Sequence, residues 1–172
     1  MISLVVDHDS IKSISLPDGW REFEVPQQGF ELSTLREFRP ADSINDDVSL
    51  SLYNRGLALD DETAQDFFSL LTAPPHVLTS DELDQVHLVL NDANDPERFS
   101  FAEAKTEFLN GRPAMIVEGR WLRSQTDMLR IYIDIKGDGR FVQEVSFSAP
   151  IADYKRWISD VRACLQTLSW KT

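Results

Sequence analysis

Between Phe99 and Ala149 the chain passes through four strand-like stretches, Phe99 to Leu109, Pro113 to Leu122, Met128 to Ile135 and Phe141 to Ala149. They are joined by Asn110-Gly111, Ser124 to Asp127 and Gly137-Asp138-Gly139. A parallel crossover needs about a dozen residues, so connections this short force neighbouring strands to run antiparallel. Asn-Gly is the strongest of the signals, because both residues accept the positive φ that a two-residue hairpin turn demands. Pro150 ends the meander. From Ile151 the apolar side chains return at helical spacing, with Tyr154, Trp157, Ile158, Val161, Cys164, Leu165 and Leu168 on one wide stripe. The pattern predicts a closing helix over 151–169, anchored on the sheet by Trp157, Ile158, Val161 and Leu165.

The first half starts with the same strand-like period, in Ile11 to Leu16, Trp20 to Val25, Phe30 to Phe38 and Val48 to Tyr53. Pro17-Asp18-Gly19 and the stretch from Pro26 to Gly29 punctuate it, each setting a fixed φ and then a permissive glycine. The period then lengthens. Asp60 or Asp61 can cap a helix carrying Ala64, Phe67, Phe68 and Leu71 on one side, which stops before Pro74-Pro75. Thr79 followed three residues later by Glu82 is a capping box for a second helix with the stripe Leu83, Val86 and Leu90. Strands, two helices, four strands and one helix, with no alternating βαβ rhythm, specify an α+β fold. The expected architecture is a central antiparallel sheet flanked by helices, in one domain over residues 1–172.

Ile14-Ser15-Leu16-Pro17-Asp18-Gly19-Trp20 near the start, and Asn110-Gly111-Arg112-Pro113-Ala114 opening a long meander before a terminal helix, resemble the PsbP/Mog/DcrB-like superfamily. The resemblance rests on these two turn motifs and on element order across most of the chain. It implies a central antiparallel sheet between helices and a non-enzymatic accessory or binding role. Members of that superfamily include a photosystem subunit, a binder of a small GTPase and chaperones of secreted bacterial effectors. Neither motif is catalytic, so the resemblance carries no functional residue set with it.

Apolar residues make up 42% of the chain, yet no run approaches the ~20 residues that span a bilayer. Met1 to Val6, followed by Asp7 and Asp9, lacks the basic region and cleavage site of an export signal, so the expected location is the cytosol. The lone Cys164 has no disulfide partner and falls on an apolar helix face, where it reads as core. The net charge of −12 argues against nucleic acid, since phosphate binding is driven by Lys and Arg releasing counterions. The charge is also uneven. Residues 41–98 hold thirteen acids and two bases, whereas residues 101–172 hold nine acids and eleven bases.

Chemistry-bearing motifs are sparse. His8, His76 and His87 belong to no nucleophile motif, and there is no Gly-x-Ser-x-Gly. The seven glycines form no phosphate-binding loop. Asp134-x-Lys136-x-Asp138-Gly139 has the glycine of a calcium loop but puts lysine, which cannot ligate a cation, at the third position, so it reads as a hairpin tip. No cofactor and no metal site is expected.

Two functional readings follow. The leading one is a non-catalytic interaction module, an adaptor, chaperone or accessory subunit, that meets a basic protein partner. Its acidic helical hairpin would contribute Asp61, Glu62, Asp81 and Asp84, and the turn would contribute Pro74, Pro75, Val77 and Leu78 as apolar anchors. The alternative is a small-molecule binder or enzyme. Strand alternation sets Arg130, Tyr132 and Asp134 opposite Leu129, Ile131, Ile133 and Ile135, and with Glu118, Arg120 and Glu144 from the neighbouring strands the polar set is expected to form one charged lattice. On a wet surface such a lattice is also the ordinary outcome of cross-strand ion pairing.

Overall fold

The computed structural model describes residues 11–23, 33–42, 47–56, 61–90, 99–135 and 141–170. The N-terminal strands are β1 (Ile11–Ser13), β2 (Trp20–Phe23), β3 (Ser33–Pro40) and β4 (Ser49–Gly56). Helices α1 (Asp61–Thr72) and α2 (Ser80–Leu90) follow, then β5 (Phe99–Leu109), β6 (Arg112–Trp121), β7 (Thr126–Ile133) and β8 (Phe141–Pro150). Helix α3 (Ile151–Leu165) and the short β9 (Ser169–Trp170) complete the order. Seven strands form one antiparallel sheet in the order β2-β3-β4-β8-β7-β6-β5, and β1 pairs with β9 apart from it. The four-strand meander is present, and β4 against β8 joins it to the N-terminal strands.

Local chemistry accounts for the turns. Asn110 and Gly111 have φ of 50° and 82°, the pair of positive values that a two-residue hairpin requires. The Asn110 side chain also donates to the carbonyls of Leu165 and Leu168, tying this hairpin to the end of α3. At Pro17-Asp18-Gly19 the Trp20 amide donates to the Pro17 carbonyl, with Gly19 at φ 82°. Gly119 has a different reason to be glycine. A Cβ there would overlap the Ser100 carbonyl oxygen and come within 2.7 Å of the Phe99 ring.

Two cores lie on opposite faces of the sheet. Leu50, Leu52, Ile116, Leu129, Ile131, Val145 and Phe147 face α3, which contributes Tyr154, Val161, Cys164 and Leu165. Met115, Val117, Met128 and Tyr132 face the other way, under Phe67, Phe68, Leu71 and Val86 of the helical hairpin. Val161 and Leu165 are buried as the stripe predicts, but Trp157 and Ile158 are only half-buried at the margin, with the Trp157 ring edge-on to Trp20 at 5.3 Å. The helix also stops short of residue 169. Thr167 accepts the Ser15 amide and donates to the Cys164 carbonyl, which closes the helix and lets Ser169 and Trp170 turn back to pair with β1. Burial raises the Cys164 thiol to about 11, so it stays protonated and inert at neutral pH. Among the described residues no helix is long and apolar enough to cross a membrane.

Candidate functional site

The turn between α1 and α2 lies along the outer edge of β5. The Leu78 amide donates to the Ala104 carbonyl, the Thr106 amide to the His76 carbonyl, and the His76 amide to the Thr106 hydroxyl. This short ladder satisfies the middle of an edge strand that would otherwise expose a row of unpaired backbone groups. It also gives neighbouring residues opposite fates. Leu78 turns into the core beneath the hairpin and is 7% exposed, whereas Val77 is 74% exposed. Leu78 is therefore a packing residue and unavailable as an anchor, contrary to the expectation from sequence.

The capping box forms as its spacing predicts: the Thr79 amide donates to Glu82 Oε1 at 2.9 Å and the Glu82 amide to Thr79 Oγ1 at 3.3 Å. His76 adds a second hold that the sequence reading missed. Its Nδ1 donates to the Pro74 carbonyl at 2.8 Å, and its Nε2 lies 3.0 Å from Glu82 Oε2. The bond to the Pro74 carbonyl, then the bond to Glu82, raise the affinity of the imidazole for its proton. The Thr79 amide, followed by His76, holds the Glu82 carboxyl below its ordinary value. The clue was present in the sequence, since Glu82 is already committed to the turn by its capping role and His76 lies three residues before Thr79.

Pro74 and Pro75 are exposed beside Val77, and Asp81 and Asp84 are exposed on α2. The side chains of Asp61 and Glu62 lie outside the described residues. Phe108 of β5, 63% exposed, is a further apolar group on the same strand that the sequence reading passed over.

The polar lattice does not exist as one surface. Glu118 is registered with Leu129, so Glu118 and Arg120 face α3, whereas Arg130 is registered with Val117 and faces the helical hairpin with Tyr132 and Glu144. Nor is the second group wet. Tyr132 is fully buried, with the Phe67 ring edge-on at 5.4 Å, and Glu144 is buried with Arg130 Nε 3.2 Å away. On the α3 side, Glu118 accepts from the Tyr154 hydroxyl at 2.6 Å and pairs with Arg162, while Arg120 grips both oxygens of Asp127 at 2.6 and 3.2 Å. Burial, then the Glu118 carboxylate, push the Tyr154 phenol far above its ordinary value. These groups border an open cleft of about 320 Å³ with Ser100, Phe101 and Leu122. Its four ionisable groups are spent on one another and on Arg162, which makes the cleft a brace between α3 and β6. Of the calcium-like stretch only Asp134, itself buried, falls within the described residues, and those residues contain no group of three metal-ligating side chains.

No family model and no curated protein matches the chain. Among solved structures it is similar to the cyanobacterial PsbP protein CyanoP of Synechocystis sp. PCC 6803, with 15% identity, a TM-score of 0.59 and coverage of 95% of this chain and 88% of that one. It is also similar to LpqN of Mycobacterium tuberculosis, a protein involved in cell envelope biogenesis, with 12% identity, a TM-score of 0.55 and coverage of 93% and 83%. A third similar structure is PA94 of Pseudomonas aeruginosa, a putative regulator of unknown function, with 13% identity, a TM-score of 0.50 and coverage of 89% and 98%. The chain thus has the PsbP-like fold implied by its two turn motifs and element order.

Proposed function

We propose that this chain is a non-catalytic protein-interaction module that docks a basic partner across the turn between α1 and α2. The observation that carries this reading is Val77, a large apolar side chain held 74% exposed on a backbone fixed by hydrogen bonds to β5. An exposed side chain on a fixed backbone loses little conformational freedom on binding, which is the property of an anchor. Pro74 and Pro75 extend the apolar surface, and Asp81 and Asp84 set a negative rim beside it that speeds encounter with positive charge. The fold is shared with CyanoP and with LpqN, a protein involved in cell envelope biogenesis, and a non-catalytic module is compatible with that likeness.

Site-specific photo-crosslinking in cells of the native host tests the reading, with the reactive group placed at position 77 and, as a control, at position 122 in the cleft. A single protein captured from position 77 and not from 122 supports docking at the turn. With that partner purified, Asp81→Asn with Asp84→Asn should slow association severalfold at low salt and leave dissociation nearly unchanged. Capture from position 122 alone would move the site to the cleft beside α3.

A further inference from the structure

At the opposite end of the sheet two arginines occupy positions where opposite charges would be expected. Arg21 of β2 and Arg39 of β3 are direct register partners. Like charges opposite each other on one sheet face cost stability. Trp20 and Phe38 belong to the core beneath α3, so by alternation Arg21, Phe23, Glu37 and Arg39 share the other face. There the Arg21 guanidinium lies 3.8 Å from the centroid of the Phe23 ring and that of Arg39 lies 3.9 Å from it. One ring thus holds two cations within about 8 Å of each other.

The face toward α3 shows how a satisfied pair is built on these same strands. Arg36 grips Glu22 with two hydrogen bonds, at 2.6 and 2.9 Å. Arg39 instead has Glu37 at 3.5 Å, and its buried Nε makes no hydrogen bond among the described residues. Arg21 is exposed, and among the described residues the ring is its partner and no carboxylate is. Among the described residues both guanidinia therefore keep donor edges for an incoming anion, and planar guanidinia suit carboxylates. Moreover, β2 is the outermost strand. It pairs with β3 alone, so among the described residues its outer backbone row has no strand partner.

We propose that Arg21, Phe23 and Arg39 form a clamp for an acidic, extended segment of a partner protein, added as a strand along the β2 edge. In an added strand alternate side chains fall on one face, so acidic residues at every second position keep their carboxylates on the face of Phe23 and the two cations. The recognised pattern is acidic-x-acidic. These carboxylates meet the two guanidinia that share the ring, and binding offsets the like-charge cost of the facing pair. This surface is separate from the α1–α2 turn and does not depend on its role.

The test is fluorescence anisotropy of a labelled short peptide alternating glutamate and threonine, titrated with the full chain at low salt. The peptide should bind, salt should weaken it, and Arg21→Gln or Arg39→Gln should each reduce affinity by at least about tenfold. Both variants should keep or raise the thermal midpoint, so that the loss is one of recognition and not of folding. N-methylation of alternate peptide amides should abolish binding. Four results would overturn the proposal: no binding at millimolar peptide, equal binding by the arginine variants, equal binding of a lysine-threonine peptide, or an unaffected N-methylated peptide. Displacement of the peptide by inorganic phosphate at equal concentration would also overturn it, by making the clamp a small-anion site.

Discussion

The long outer strand β5 and the short outer strand β2 close the same sheet, and each is guarded in its own way. β5 has eleven residues, broken by a register shift between Phe101 and Glu103, and its middle is covered by His76 to Leu78 of the same chain. Lys105 stands between Glu103 and Glu107 there, at 3.0 and 3.5 Å, so the charge on that edge is settled internally. β2 has four residues and no cover among the described residues, and its facing cations share a ring. Covering an edge with the protein's own backbone buries Leu78 and presents Val77. Guarding it with charge leaves the backbone row without a strand partner among the described residues and repels only partners of the same sign. One edge thus offers a preformed apolar anchor, the other a strand with no outer partner among the described residues and with two arginines on one face.

The comparison breaks most severely if β5 is displaced from β6. Gly119→Ala puts a methyl group into the Ser100 carbonyl and the Phe99 ring, and unfolding in urea should show a loss of at least about 3 kcal/mol. A loss below about 1 kcal/mol would mean that β5 shifts freely and is no fixed platform for the turn. Leu78→Ala should cost about 2 to 4 kcal/mol by emptying its place in the core. Its neighbour Val77→Ser should stay within about 0.5 kcal/mol, and equal losses at the two positions would erase the division between packing and presentation.

A smaller effect is read through pH. His76 binds its proton more tightly in the folded state, so its contribution is whole below the usual histidine value of 6.5 and is lost as pH rises through the raised folded value. Glu82 is shifted down, so its contribution is present above the usual 4.5 and is lost as pH falls through the lowered folded value. The turn is held best between those two limits. The difference in Tm between the protein and His76→Gln should therefore shrink as pH climbs above 6.5. A difference that stays constant across neutral pH would remove His76 from the hold on the turn. The smallest effect is expected at the other edge. Arg21→Thr relieves the like-charge pair with Arg39 and should raise stability by a few tenths of a kcal/mol, about 0.2 to 0.5, whereas a clear destabilisation would show that the stack on Phe23 outweighs the repulsion.

Periodicity and turn chemistry determined the longer strands and helices of this protein, whereas the short β9, inside the stretch whose period predicts a helix, depends on its pairing with β1. The Asn110-Gly111 hairpin, the capping box at Thr79 and Glu82 and the stripe through Val161 and Leu165 are local features whose geometry depends on residues a few positions apart. Tertiary structure decided which side chains meet. The turn after β6 registers Trp121 with Thr126, which sets even-numbered residues of β6 beside odd-numbered residues of β7. Because strand side chains alternate, that single register sends Glu118 and Arg120 to the α3 face and Arg130, Tyr132 and Glu144 to the other, dividing a set that looked continuous in sequence. The same holds for the outer strands. Nothing local distinguishes Val77 from Leu78, or sets Arg21 opposite Arg39, until the chain has chosen which strand lies at the edge and what runs along it.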